Sequence, residues 1–73
     1  MARRRSIRKI IADGVRRERL KREWGQQELA VKAGLHLRHV QKIEAAEVGI
    51  TVDTLELIAR AFGCSVVDLF ADP

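Results

Sequence analysis

The spacing of small and apolar residues between positions 26 and 43 constrains this chain more than any other feature. Counted from Gln26, the fifth residue is Ala30, the ninth is Gly34, and the fifteenth and eighteenth are Val40 and Ile43. Two short helices that cross steeply need a small residue where they touch and a turn residue that can adopt positive φ. They also need apolar anchors in the second helix. The four positions therefore predict a helix-turn-helix.

Apolar residues recur at helical spacing along the rest of the chain, which predicts a compact all-α fold of five helices. Ser6 is a suitable N-cap for a first helix over residues 6–23, which Trp24 and Gly25 end. Gly14 is a weak point within that helix, because glycine disfavours helical backbone. The other predicted helices cover residues 26–33, 37 to about 46, 52–62 and 66–70, with N-caps at Gly25, His36, Thr51 and Ser65.

Length and composition predict one small domain. The 73 residues divide into a basic arm at 1–5 and a single domain at 6–73. The one cysteine, Cys64, is expected to be a small apolar residue rather than a nucleophile, in a reducing cytoplasm. No apolar stretch approaches the length of a membrane span, so no membrane partner is expected. An organellar transit segment is the alternative interpretation of the basic start.

The charge is unevenly distributed along the chain. Residues 1–25 hold ten basic and three acidic side chains, a net charge of +7, whereas residues 49–73 hold one basic and four acidic ones, a net charge of −3. A polyanion such as nucleic acid would suit the basic end, and a solvated charged helix face is the alternative.

Enzymatic chemistry is not expected. The chain has no Tyr, no glycine-rich phosphate loop and no Ser/His/Asp arrangement. His36 and His39 are three residues apart, but no second His or Cys cluster completes a metal site. We therefore expect no metal and no cofactor, and no small-molecule effector is evident.

Five segments of the chain closely resemble the phage-repressor-like (Xre/Cro) helix-turn-helix family, whose fold is that of lambda repressor. They are residues 24–30 (WGQQELA), 33–35 (AGL), 43–44 (IE), 52–55 (VDTL) and 58–59 (IA). The resemblance runs from about Ile11 to Phe70. It implies sequence-specific binding of double-stranded DNA, usually by a homodimer on a two-fold symmetric operator. The small size also resembles the controller proteins of restriction–modification systems, although antitoxins and prophage regulators share it.

The resemblance also implies roles for individual residues. The base-reading positions in the major groove are Leu37, Arg38, Gln41 and Lys42. Their chemistry agrees, because Arg suits guanine, Gln suits adenine and Leu suits a thymine methyl. Gln26 matches a phosphate-binding glutamine, and Arg19 and Glu44 match a structural pair. Further phosphate contacts are expected from Gln27, His39, Arg3, Arg4 and Arg5.

Two departures from the family pattern affect the expected contacts. The loop after the recognition helix carries no cation, so the Arg3–Arg5 arm, Arg8 and Lys9 are candidates to reach the DNA backbone instead. Glu18 places a charge where the first helix could have been apolar.

The sequence leaves several alternatives open. The cations on the recognition helix could be ordinary solvated side chains, and Leu37 could belong to a protein interface. A homodimer is expected through exposed apolar residues of the C-terminal third, namely Ile50, Val67 and Phe70. The chain could also be an antitoxin or another protein-interaction module in which DNA binding is secondary or absent.

Overall fold

The computed structural model describes residues 6–70, which form four α-helices and a 3₁₀ helix, with no strand in that range. The helices are α1 (Ile7–Lys21), α2 (Gln26–Ala33), α3 (Leu37–Glu44) and α4 (Val52–Phe62), and the 3₁₀ helix covers Val66–Phe70. The all-α fold, with α2 and α3 as the helix-turn-helix, is confirmed. The predicted arm, including Arg3, Arg4 and Arg5, lies outside the described residues and stays a prediction.

One apolar core joins all five elements. Each element contributes one large side chain with almost no exposed surface, namely Val15, Leu29, Val40, Ile58 and Leu69. Burying a side chain of this kind stabilises the fold by about 1.5–3 kcal/mol. Cys64 packs against this core, and burial raises the pKa of its thiol, so the cysteine is an apolar packing residue.

The predicted helix starts are confirmed. The hydroxyl of Ser6 accepts a hydrogen bond from the Lys9 amide at 3.1 Å, and that of Thr51 accepts one from the Thr54 amide at 3.1 Å. Asp68 accepts a hydrogen bond from the Ser65 amide at 3.0 Å, which is the expected acidic half of a capping box. Gly25 and His36 precede α2 and α3 without a side-chain cap.

All four α-helices end in the same way. A residue with left-handed backbone follows α2 and α4 directly and follows α1 and α3 after one intervening residue. In each case the next amide donates a hydrogen bond to the carbonyl five residues earlier. The left-handed residues of α2 and α4 are Gly34 and Gly63, both with φ 71°. Those of α1 and α3 are Glu23 and Ala46, with φ 58° and 59°.

Three sequence predictions need correction. Helix α1 ends at Lys21 rather than residue 23, and α3 ends at Glu44 rather than about residue 46, because the chain turns left-handed at Glu23 and Ala46. The fifth helix is 3₁₀ rather than α, since five residues give little room for i to i+4 hydrogen bonds.

Gly14 is a packing position rather than a weak point. Helix α1 runs unbroken through it, and the backbone of Leu69 approaches it closely. A Cβ at this position would lie 2.8 Å from the Leu69 carbonyl carbon and closer still to the carbonyl oxygen. The missing side chain therefore allows the 3₁₀ helix to lie directly against α1.

Candidate nucleic-acid interface

Helix α3 has one buried face and one exposed face. Val40, Ile43 and Glu44 are buried, whereas Arg38 and Gln41 are exposed. Exposed residues three and four apart lie side by side on a helix. The buried face fixes the helix on the domain, so the exposed side chains project from a rigid support.

The residues predicted to read bases are brought together on that exposed face. Arg38, Gln41 and Lys42 line one shallow groove with Ala45 and Glu47. Leu37 begins the helix and is 36% exposed, which leaves about a third of an apolar side chain open to a partner. The set combines a guanidinium, an amide, an amine and an apolar surface within two helical turns.

A second groove runs along the other side of the same helix. It is lined by His36, Arg38, His39, Lys42 and Val48. Arg38 and Lys42 line both grooves, so these two cations form the ridge between them. His39 is half-buried and His36 is exposed, and no further ligand joins them, since residues 6–70 contain no group of three metal-binding side chains.

A buried ion pair holds the far end of α3. The Arg19 guanidinium donates two hydrogen bonds to the Glu44 carboxylate, at 2.7 and 2.9 Å, and a third to the Trp24 carbonyl at 2.8 Å. The Glu44 side chain is 2% exposed and that of Arg19 is 12% exposed. Hydrogen bonding to Glu44 raises the pKa of Arg19 above its ordinary value, so the guanidinium stays protonated. The pair joins α1, α3 and the segment before α2.

Gln26 connects the start of α2 to this pair. Its side-chain amide lies 3.3 Å from Glu44 Oε1, and because a carboxylate can only accept, the NH₂ end faces Glu44. Gln26 is half-buried, and Gln27 beside it is exposed. With Gly25 as N-cap, no side chain caps the first amides of α2. The start of α2 is therefore the uncapped, positive end of a helix dipole.

A cluster around Glu18 was not foreseen from the sequence. This buried carboxylate receives hydrogen bonds from Arg22 at 3.0 Å, Arg17 at 3.4 Å and Lys21 at 3.5 Å. The bond from Arg22 contributes most to holding the Glu18 pKa below its usual value, against the opposing effect of burial. The i to i+4 spacing of Glu18 and Arg22 was the signal that could have found it.

Arg22 also ties the ends of α1 and α4 together. Its guanidinium donates to the Phe62 carbonyl at 2.7 Å and lies 4.8 Å from the centre of the Phe62 ring. Trp24 stacks on the same ring with centroids 5.6 Å apart. These contacts set the position from which α2 and α3 are presented.

The residues predicted for dimerisation lie on other elements than α3. Val67 is 74% exposed and Phe70 is 37% exposed, both on the 3₁₀ helix. Ile50, by contrast, packs partly against the core from the loop before α4. In residues 6–70, none of the helices has the length and apolar character needed to cross a membrane.

Comparison with known proteins places the chain in a family. A family model described as helix-turn-helix matches residues 15–69. The chain is 35% identical over 63 residues to control protein C.SmaI of Serratia marcescens, covering 86% of this chain and 75% of that protein. It is 30% identical over 67 residues to a hypothetical transcription factor of Neisseria meningitidis serogroup B, covering 92% of this chain and 63% of that protein.

Solved structures agree. The crystal structure of the hypothetical transcription factor NHTF from Neisseria has a TM-score of 0.88 at 29% identity, over 93% of this chain and 78% of that one. The restriction-modification controller protein C.Esp1396I has a TM-score of 0.81 at 27% identity, over 90% of this chain and 86% of that one. The resemblance to the Xre/Cro family is thereby confirmed. The chain belongs to the Xre-like helix-turn-helix family of DNA-binding transcription regulators.

Proposed function

We propose that this chain regulates transcription by reading a specific sequence of double-stranded DNA, with α3 in the major groove. The exposed face of α3 is the observation that carries this proposal. Arg38 and Gln41 project from a helix whose opposite face is buried, and Lys42 lies beside them. The major groove, about 12 Å wide, admits an α-helix. Arg38 is suited to guanine O6 and N7, Gln41 to adenine and Leu37 to a thymine methyl.

Phosphate contacts would fix the orientation of α3 on the duplex. The uncapped start of α2 offers backbone amides and the Gln26 and Gln27 side chains to one phosphate. Only one hydrogen of the Gln26 NH₂ group is engaged by Glu44, so the other remains available to an anion. His39 borders the groove on the other side of α3. The Arg3–Arg5 arm would add cations from outside the described residues.

A second copy of the chain is the partner proposed for the C-terminal part. Val67 and Phe70 expose apolar surface on the 3₁₀ helix, and Val52 and Leu57 do so on α4. A domain of this size has a small core, so burial of these side chains in a two-fold dimer would add stability. The two recognition helices would then lie about one DNA turn, roughly 34 Å, apart.

The genetic system proposed is restriction–modification control. Two of the similar proteins, C.SmaI and C.Esp1396I, are named as control or controller proteins. The operator recovered by selection can be located in the source genome. A neighbouring endonuclease and methyltransferase pair would support this assignment, whereas a toxin gene would favour the antitoxin interpretation.

Selection of duplexes from a random library at physiological salt, followed by sequencing, tests the proposal. We expect a two-fold symmetric motif to be enriched by the wild type. Arg38→Ala should lose the preference at one position of each half-site, at a cost of about 1–3 kcal/mol. Arg60→Ala, an exposed arginine on α4, is the matched control and should give the wild-type motif. Absence of any motif with folded protein would refute sequence-specific recognition.

Sedimentation equilibrium tests the dimer separately. The wild type should sediment as a species of twice 8.3 kDa, and Val67→Glu should return it to 8.3 kDa, because a charge would then be buried at the interface. A monomer of 8.3 kDa for the wild type, both free and bound to the operator, would refute the dimer.

A further inference from the structure

The loop between α3 and α4, residues 45–50, carries no basic side chain of its own. Its sequence is Ala-Ala-Glu-Val-Gly-Ile, and Glu47 is exposed. Val48 of this loop lines the groove beside the recognition helix, together with His39 and Lys42. The loop therefore borders the surface proposed to face DNA, yet its only charged group would repel a phosphate.

A cation from another element occupies the space beside this loop. The guanidinium of Arg8, in the first turn of α1, lies against Gly49. A Cβ built on Gly49 would be 3.4 Å from Arg8 Nη2, 3.8 Å from Nε and 3.9 Å from Cζ. Because residue 49 has no side chain, the guanidinium rests directly on the loop, next in sequence to Val48.

No contact within the fold explains why the Arg8 side chain lies here. Within residues 6–70 Arg8 makes no ion pair or side-chain hydrogen bond. Its neighbour Lys9 forms an ion pair with Asp13 at 3.4 Å. The Arg and Lys side chains of residues 17–22 bind carboxylates or carbonyls. A cation in the first turn also opposes the helix dipole, and this turn of α1 has no acidic residue. Arg8 therefore does not help α1 to form.

We infer that Arg8 binds a phosphate of the DNA backbone and so supplies the cation that the loop after the recognition helix lacks. This inference rests on the proposed function. Val48 borders the groove beside Arg38 and Lys42, and Gly49, the next residue, borders Arg8, so a DNA strand that passes this loop could contact both groups of cations. Arg is suited to this because its planar guanidinium can donate two hydrogen bonds to one phosphate.

The salt dependence of binding to the selected operator tests this inference. Arg16 is the matched control, because it is an exposed arginine of α1 without an ion pair in residues 6–70 and lies about 12 Å further along the helix. We would compare the wild type, Arg8→Gln and Arg16→Gln between about 50 and 200 mM salt. Thermal unfolding of each variant would be followed in parallel.

For Arg8→Gln we expect the slope of log K against log salt to shrink by about 0.9 per bound protomer. Affinity near 0.15 M salt should then fall about fivefold per protomer. The thermal midpoint should stay the same or rise slightly, since an unfavourable charge leaves the helix start. Arg16→Gln should bind with the wild-type slope and affinity.

Two results would overturn the inference while leaving the proposed function intact. One is a wild-type slope for Arg8→Gln, with Arg38→Ala still losing sequence preference. The other is an equal loss for Arg8→Gln and Arg16→Gln, which would mean that only overall charge matters. If the wild type itself shows no salt-dependent DNA binding, the proposed function fails and the inference fails with it.

Discussion

Replacing Gly14 by alanine is the sharpest test of how this small core is assembled. In an ordinary helix this change adds about 1 kcal/mol of stability, because alanine is the better helix former. Here we expect the opposite. The new Cβ would lie 2.8 Å from the Leu69 carbonyl carbon and 3.1 Å from its Cα, and it would overlap the carbonyl oxygen.

The cost can be estimated from these distances. Carbon atoms pack at about 3.5–4.0 Å, so the Leu69 carbonyl carbon would have to retreat by about 1 Å, and the carbonyl oxygen by more. If the core yields around the new methyl group, such overpacking costs about 1–3 kcal/mol. If the Leu69 side chain is instead displaced from the core, the cost is about 2–5 kcal/mol. After subtracting the helix-propensity gain, we expect Gly14→Ala to lower the free energy of unfolding by about 2 kcal/mol. For a domain of this size that lowers the thermal midpoint by about 8–16 °C.

Chemical and thermal unfolding followed by circular dichroism would measure the effect. Gly49→Ala is the control, because its new Cβ would meet only the flexible end of Arg8 at 3.4 Å. We expect that control to stay within about 0.5 kcal/mol of the wild type. A Gly14→Ala protein as stable as the wild type, or more stable, would refute the close packing of the 3₁₀ helix on α1.

Three further perturbations have outcomes set by the structure. Glu44→Ala should destabilise the fold by about 3–5 kcal/mol in urea titrations, because it removes the counter-charge and two of the three hydrogen-bond acceptors of the largely buried Arg19 guanidinium. Since its folded-state pKa is lowered, mainly by Arg22, Glu18 contributes stability that is complete above its unfolded value near 4.5 and is lost as the pH falls below it. Acid unfolding of Glu18→Gln should therefore be less steep than that of the wild type. Ala46→Gly should raise the midpoint in thermal melts, because it relieves a left-handed alanine that costs about 1 kcal/mol.

The helix-turn-helix could be predicted because its geometry restricts residue type at fixed positions. Ala30, Val40 and Ile43 are all buried, and Gly34 adopts the positive φ that the turn requires. At each of these positions local chemistry and tertiary packing favour the same residue. The exposed face of α3 followed from the same register, because fixing the inward residues also fixes the outward ones.

The ends of α1 and α3 could not be predicted in the same way. Both helices use the turn that ends α2 and α4, but with Glu23 and Ala46 in place of glycine. The hydrogen bonds from Trp24 to Arg19 and from Glu47 to Lys42 hold that turn despite its strain. Tertiary contacts, such as the stacking of Trp24 on Phe62, determine where α1 ends. Because these contacts join residues that are distant in sequence, the local sequence pattern does not reveal them.

Gly14 has opposite effects on the stability of the helix and on the packing of the fold. Taken alone within a helix, a glycine lowers stability, and the sequence pattern contained nothing to counter that inference. The reason for the glycine lies more than fifty residues away, where the backbone of Leu69 needs the space that a Cβ would occupy. The sign of the change in stability on Gly14→Ala therefore decides between the two effects. Stabilisation would mean that local propensity governs the site, and destabilisation would mean that the 3₁₀ helix, with Val67 and Phe70 on its surface, is held in place by this contact.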